Sequence, residues 1–241
     1  MYKLVPEKAH DNAPDGFCET FKSFLLHIVF EFIGTMLMTF AFICAGDFSV
    51  EQTGGYAVAL MVSASISGGY CNPAITLACM MRKDSKRISA KLGLSYILVQ
   101  YLGGFAASTF SLLIVKSNGI VSTEPDHWYT AIMAVSLGSF VMCFMYLTQT
   151  AKLTSFTDDI AISVFIVAGS YEVGQLIVTT SVLNGKGLTG NPAIDAGLTL
   201  TYLFKHPGDA LKYIWLWPLV PFVGALLAFV FNELLYKKSL I

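Results

Sequence analysis

The tripeptide Asn-Pro-Ala occurs twice, at Asn72-Pro73-Ala74 and Asn191-Pro192-Ala193, and each copy interrupts an apolar stretch in its own half of the chain. In 241 residues one given tripeptide arises by chance only about a few per cent of the time. Two in equivalent places therefore point to a duplicated unit. Paired, proline-interrupted hydrophobic segments in the two halves of a membrane protein mark discontinuous helices that meet at a central site. Composition puts this chain in the bilayer: 55% of residues are hydrophobic and 13% charged, mean hydropathy is +0.64, and a soluble domain carries about twice that charge.

Apolar segments at Phe24–Gly46, Thr53–Tyr70, Leu92–Val115, Trp128–Thr148, Ile160–Thr180 and Tyr213–Leu235 predict six spans, most of them close to the ~20 residues a spanning helix needs. The second is the shortest, and its Gly68-Gly69 end is expected to dip into the membrane with the Asn72 loop. Non-helical backbone survives at that depth only where protein or a water-filled cavity satisfies its polar groups. The first span starts too far from Met1, and runs too long, for a cleaved signal peptide. Residues 1–20 thus read as a retained tail and 21–241 as one membrane domain, with repeats at 21–120 and 121–241. Six spans put both ends on one side. Lys3, Lys8, Lys22, Arg82, Lys83, Lys86, Arg87, Lys91, Lys152, Lys237 and Lys238 fall on that side, against Lys116, Lys186, Lys205 and Lys212 opposite, so both termini are predicted cytoplasmic. The pattern suits the plasma membrane and an intracellular membrane alike.

Several function classes drop out. Cys18, Cys44, Cys71, Cys79 and Cys143 form no CxxC pair and His10, His27, His127 and His206 are scattered, so no metal, cofactor or disulfide framework is expected. No phosphate loop, nucleophile elbow or convergent carboxylate pair supplies enzymatic chemistry. A net charge of -1, with a basic run that reads as a topology signal, gives no case for a nucleic-acid partner.

Three spans before about residue 120 and three after it give the halves opposite orientations, so the repeat is inverted. Each half should hold two spans, a short helix beginning at its Asn-Pro-Ala, and a third span; residues Ile75–Met81 and Ile194–Leu203 continue the short helices. Proline suits the first helical turn, where its missing N–H costs nothing. Two helix N-termini facing each other at mid-membrane present free amide hydrogens and about half a positive charge each, which repels cations. Asn72 and Asn191 are natural caps for these helices, and each can cap through its oxygen while its nitrogen meets a passing oxygen atom.

These residues resemble the aquaporin, or major intrinsic protein, family. Glu31-Phe-Ile-Gly-Thr35 resembles the Glu-x-x-Gly-Thr of the family's first span, and Ser67-Gly-Gly-Tyr-Cys-Asn-Pro-Ala-Ile-Thr76 its first motif. Tyr96, Gln100 and Gly103 match the third span, and Pro221-Phe-Val-Gly224-Ala225 the sixth. The resemblance implies an all-α membrane fold, six transmembrane helices plus two re-entrant half-helices forming an hourglass pore, and a homotetramer. It implies passive conduction of water and small uncharged solutes such as glycerol. It also implies that Glu31, with Gln100, buttresses the first loop, that Gly69, Tyr70 and Cys71 line the pore, and that Gly34, Gly103, Gly104 and Gly224 are helix contacts.

The chain also departs from the family pattern. The constriction arginine after the second motif is replaced by Ile194, leaving Leu188, Gln52 or Tyr56, and Thr179 or Gln175 to complete the constriction. Asp195 resembles the aspartate of glycerol-conducting members, or serves as a dipole-stabilised cap. Tyr70 replaces a histidine, and Val135 stands where the second repeat would carry its buttressing glutamate. A rival reading is a non-conducting structural subunit of a membrane assembly, its pore shut by Ile194, Leu188 and Tyr70. A coupled transporter would need an ionisable relay, and the spans offer little beyond Glu31 and Glu172.

Overall fold

Each apolar segment becomes a helix. The computed structural model describes residues 17–45, 49–84, 87–114, 128–181, 189–204 and 215–241; the tail before Phe17 and Leu188 lie outside them. In chain order the helices are α1 (Phe17–Ala45), α2 (Ser49–Ala64), α3 (Pro73–Met81), α4 (Ala90–Ile114), α5 (Trp128–Gln149), α6 (Ile160–Ser181) and α7 (Pro192–Leu203). The last, α8 (Leu216–Ser239), contains a π-helical turn at Asn232–Tyr236. α1 begins at Phe17, so residues 17–20, expected in the tail, belong to the first helix.

Among the described residues, five helices are long and apolar enough to cross a membrane: α1, α4, α5, α6 and α8. The sixth crossing is α2, which ends at Ala64 rather than at the expected Tyr70. Its 16 residues rise about 24 Å at ~1.5 Å per residue, short of the ~30 Å hydrocarbon layer. The chain then leaves the helix where the amides of Ile66 and Ser67 both bond to the Ser63 carbonyl, and drops into the Asn72 loop. On α4 the residues Leu94, Leu98 and Leu102 repeat at helical spacing and are half or more exposed, an apolar stripe that suits lipid and not water.

The packing repeats across the halves. α1 packs on α2 and α4 as α5 packs on α6 and α8, and α2 meets α6 between the repeats. Each half-helix also packs against the third span of the opposite repeat, α3 on α8 and α7 on α4. The halves are thereby interlocked at the level of the two Asn-Pro-Ala motifs. These contacts demand small residues: a Cβ on Gly103 would lie 2.6 Å from the Phe32 carbonyl oxygen, and one on Gly34, Gly104 or Gly224 would likewise strike Cys71, Ala193 or Ser136.

Arg82, counted above as a topology signal, is 1% exposed. It closes the C-terminal end of α3: Nε and Nη2 donate to the two Asp84 carboxylate oxygens at 2.9 and 2.8 Å, and Nη1 donates to Thr150 Oγ1 at 2.6 Å. Lys237 at the end of α8 donates to Asp84 at 2.8 Å. Burial alone would raise the Asp84 carboxyl, but these two cations outweigh it and hold it at about 2.

Candidate permeation site

Both motifs cap their helices through the same atoms. Asn72 and Asn191 have extended backbones and precede a proline in the first helical turn. Asn72 Oδ1 accepts from the Ala74 amide at 2.8 Å, and Asn191 Oδ1 accepts from the Ala193 amide at 3.1 Å. Each side-chain nitrogen is thereby turned away from its own helix. Asn191 Nδ2 donates to the Cys71 carbonyl at 2.9 Å and lies 3.7 Å from Met38 Sδ; Asn72 Nδ2 is buried and makes no hydrogen bond among the described residues. A buried amide left so is stabilised by a passing oxygen acceptor. All six motif residues are fully buried.

The first loop is shaped by backbone that few residues tolerate. Gly68 and Gly69 have φ of 108° and 65°, and Cys71, not a glycine, has φ of 47°, a conformation kept by surrounding bonds. Glu31 supplies them. One carboxylate oxygen accepts from Ser67 Oγ at 2.6 Å and the Tyr70 amide at 3.1 Å, and the other from the Cys71 amide at 2.8 Å and Gln100 Nε2 at 2.7 Å. Gln100 extends the network to Thr76 in α3. Four bonds thus converge on the Glu31 carboxylate, three from residues 67–71 and one from Gln100.

The second loop is held differently, because Val135 offers no acceptor. Asp195 Oδ1 accepts from the Thr189 amide at 2.8 Å and from Thr189 Oγ1 at 2.9 Å, while Ser139 Oγ donates to the Gly190 carbonyl at 2.9 Å. Asp195 therefore anchors the loop that precedes its own helix. The residues Ser139 and Thr189 were not singled out by sequence, since a serine or threonine in an apolar helix or loop has no distinguishing pattern.

The candidate constriction residues fall into two sets. Gln52 and Tyr56 from α2 and Gln175 from α6 form one chain: Tyr56 Oη donates to Gln175 Oε1 at 2.7 Å, and Gln175 Nε2 donates to Gln52 Oε1 at 2.7 Å. All three are buried. Thr179 stands apart, partly exposed, with its hydroxyl bonded to Leu176 of its own helix at 3.2 Å. Ile194 is fully buried in the cluster that holds Met38, Tyr56 and Tyr171. Cys71 is also fully buried, and its Sγ lies 3.4 Å from Ser63 Oγ; its side chain packs behind the loop and only its carbonyl faces Asn191. Tyr70 likewise buries its ring, against Tyr96 and Tyr146.

Known proteins resemble this arrangement along nearly its whole length. Residues 19–231 match the family described as "Major intrinsic protein". The chain is 29% identical to glycerol uptake facilitator protein-like 6 of Lactiplantibacillus plantarum, over 82% of this chain and 92% of that protein. It is 25% identical to aquaporin PIP2-7 of Arabidopsis thaliana, over 91% and 84%. Among solved structures, the aquaglyceroporin from Plasmodium falciparum superposes with a TM-score of 0.66 over 90% of this chain and 98% of that one, at 18% identity, a likeness of fold. With two asparagine-capped half-helices exchanged between inverted repeats, this multi-pass integral membrane protein belongs to the major intrinsic protein family.

Proposed function

We propose that the chain is a passive channel that lets water, and small uncharged solutes of glycerol's size, move down their gradients. The observation that carries this reading is the meeting of two helix N-termini inside the molecule, with Asn72 Nδ2 a buried donor that makes no hydrogen bond among the described residues. The two N-termini put partial positive charge where a permeant passes, which opposes cations, while the asparagine donors orient an oxygen atom. Gln52, Tyr56 and Gln175 line the polar stretch of the path; without an arginine it is uncharged, and water is held there by amide and phenol groups. The names borne by the relatives, an aquaporin and a glycerol uptake facilitator, agree with this reading. The chain works as a homotetramer in the bilayer, with both ends cytoplasmic and the Arg82–Asp84–Lys237 cluster on that side.

A second reading, a non-conducting structural subunit, is favoured by one observation: the interior polar groups are largely bonded to one another, as along Tyr56, Gln175 and Gln52. Stopped-flow light scattering on liposomes holding the purified protein separates the two. Water shrinkage faster than in empty vesicles, with glycerol entry measured separately, supports the channel. Rates equal to empty vesicles with folded protein support the scaffold.

A further inference from the structure

Four backbone carbonyls of the first loop turn into the interior, and a side-chain donor meets each. Tyr96 donates to Ser67 O at 3.3 Å, Tyr146 to Gly68 O at 2.7 Å, Tyr171 to Tyr70 O at 3.3 Å and Asn191 to Cys71 O at 2.9 Å. Tyr146 comes from α5 and Tyr171 from α6, so their bonds cross from repeat two to repeat one, the boundary along which any pore between the repeats must run. Both are 1% exposed. The Tyr171 ring packs on Tyr56 with centroids 5.5 Å apart, and the Tyr146 ring on Tyr70 at 5.4 Å. The rings thus extend the barrier from the Gln52–Gln175–Tyr56 chain past the asparagines to the far side of the first loop.

We propose that Tyr171 and Tyr146, rather than Ile194, set the size limit of this channel. The proposal rests on the passive-channel reading and adds where discrimination occurs. A buried carbonyl needs a donor, and here a phenol stands where a permeating hydroxyl would bond. Water replaces the phenol hydroxyl at the carbonyl with a small displacement of the ring, because it brings its own donor and little bulk. A three-carbon polyol needs the ring itself to leave. Ile194 contributes apolar width at its level but holds no carbonyl of the loop.

The test measures water and glycerol permeability, in liposomes of fixed protein density, for the parent, Tyr171→Ala, Tyr146→Ala, the double variant, Tyr171→Phe and Ile194→Ala. Monodispersity and helical content are checked first. Tyr171→Phe keeps the ring and guards against a folding failure of the alanine variants. The expected result is a glycerol-to-water ratio raised about tenfold in the double variant, corresponding to one bond-sized barrier. The ratio should stay at the parent value in Tyr171→Phe, with water flux raised, and in Ile194→Ala. A folded parent that conducts no water while the double variant does overturns the channel reading and the size limit with it. If the parent conducts water and the tyrosine variants keep its ratio, or if Ile194→Ala alone raises it, the inference falls and the channel reading stands. If neither the parent nor any folded variant conducts water, both fail together.

Discussion

Removing the Glu31 carboxylate should release the first loop, at a cost that can be worked out from its partners. Its two oxygens accept bonds from the Tyr70 and Cys71 amides, from Ser67 Oγ and from Gln100 Nε2. In Glu31→Ala the hydroxyl of Ser67 keeps an alternative acceptor, since it also lies 3.1 Å from the Ser63 carbonyl. The two amides do not, while Gln100 Nε2 keeps Thr76 Oγ1 at 2.9 Å. Each buried donor left unsatisfied costs about 1–3 kcal/mol, so the loss from the two amides is about 2–6 kcal/mol, a large share of the roughly 5–15 kcal/mol that keeps a protein folded. At about 2–4 °C per kcal/mol for a chain of this size, the melting temperature in detergent should fall by roughly 4–24 °C. Glu31→Gln is the finer probe. Its amide keeps one acceptor oxygen, and Gln100 can turn its own oxygen toward the new NH2 group, which leaves the Cys71 amide as the donor facing a donor. The expected loss is about 1–3 kcal/mol. Thermal unfolding followed by circular dichroism, together with water flux, checks both. An alanine variant that melts within a degree or two of the parent and conducts normally would refute the buttress.

Asp84 is held at about 2 despite its burial because Arg82 and Lys237 bind it; its contribution is present above the ordinary carboxylate pKa and is lost as pH falls from about 4 to 2, worth about 2 kcal/mol. Asp84→Asn should remove that acid-side loss of stability, and a variant whose melting falls with pH as the parent's does would contradict the assignment. Asp195→Ala should free the Thr189 amide and lower stability by about 1–3 kcal/mol, whereas Asp195→Asn, which retains the oxygen that accepts from Thr189, should lose less in a denaturant titration. Cys71 packs its thiol against Ser63 rather than toward Asn191, so mercurial treatment should inhibit Cys71→Ser and the parent equally; selective protection by that substitution would place the thiol in the pore.

Much of the architecture was legible because the bilayer constrains backbone so strongly. Proline within each motif fixes where α3 and α7 start, and a continuous apolar run fixes most spans to within a few residues. α2 stops at Ala64, short of Tyr70, because Gly68 and Gly69 at positive φ belong to the loop. Gln175 and Thr179 stand one helical turn apart, so spacing alone could not choose between them; Gln175 accepts from Tyr56, whereas Thr179 bonds within its own helix. Tyr146 and Tyr171 gave no signal, since an aromatic in an apolar helix reads as packing, and only the fold brings its hydroxyl to a loop carbonyl of the other repeat. The buttress of the second half moved from the expected glutamate position at Val135 to Asp195 and Ser139, a shift between elements that a linear pattern does not carry.

The central claim is that a passive pore runs between the two asparagine-capped half-helices. The temperature dependence of osmotic water flow through reconstituted vesicles tests it most directly. The account predicts a protein-dependent rate with the shallow temperature dependence of flow through a pore. A rate and slope equal to those of protein-free vesicles, from folded protein, would contradict it.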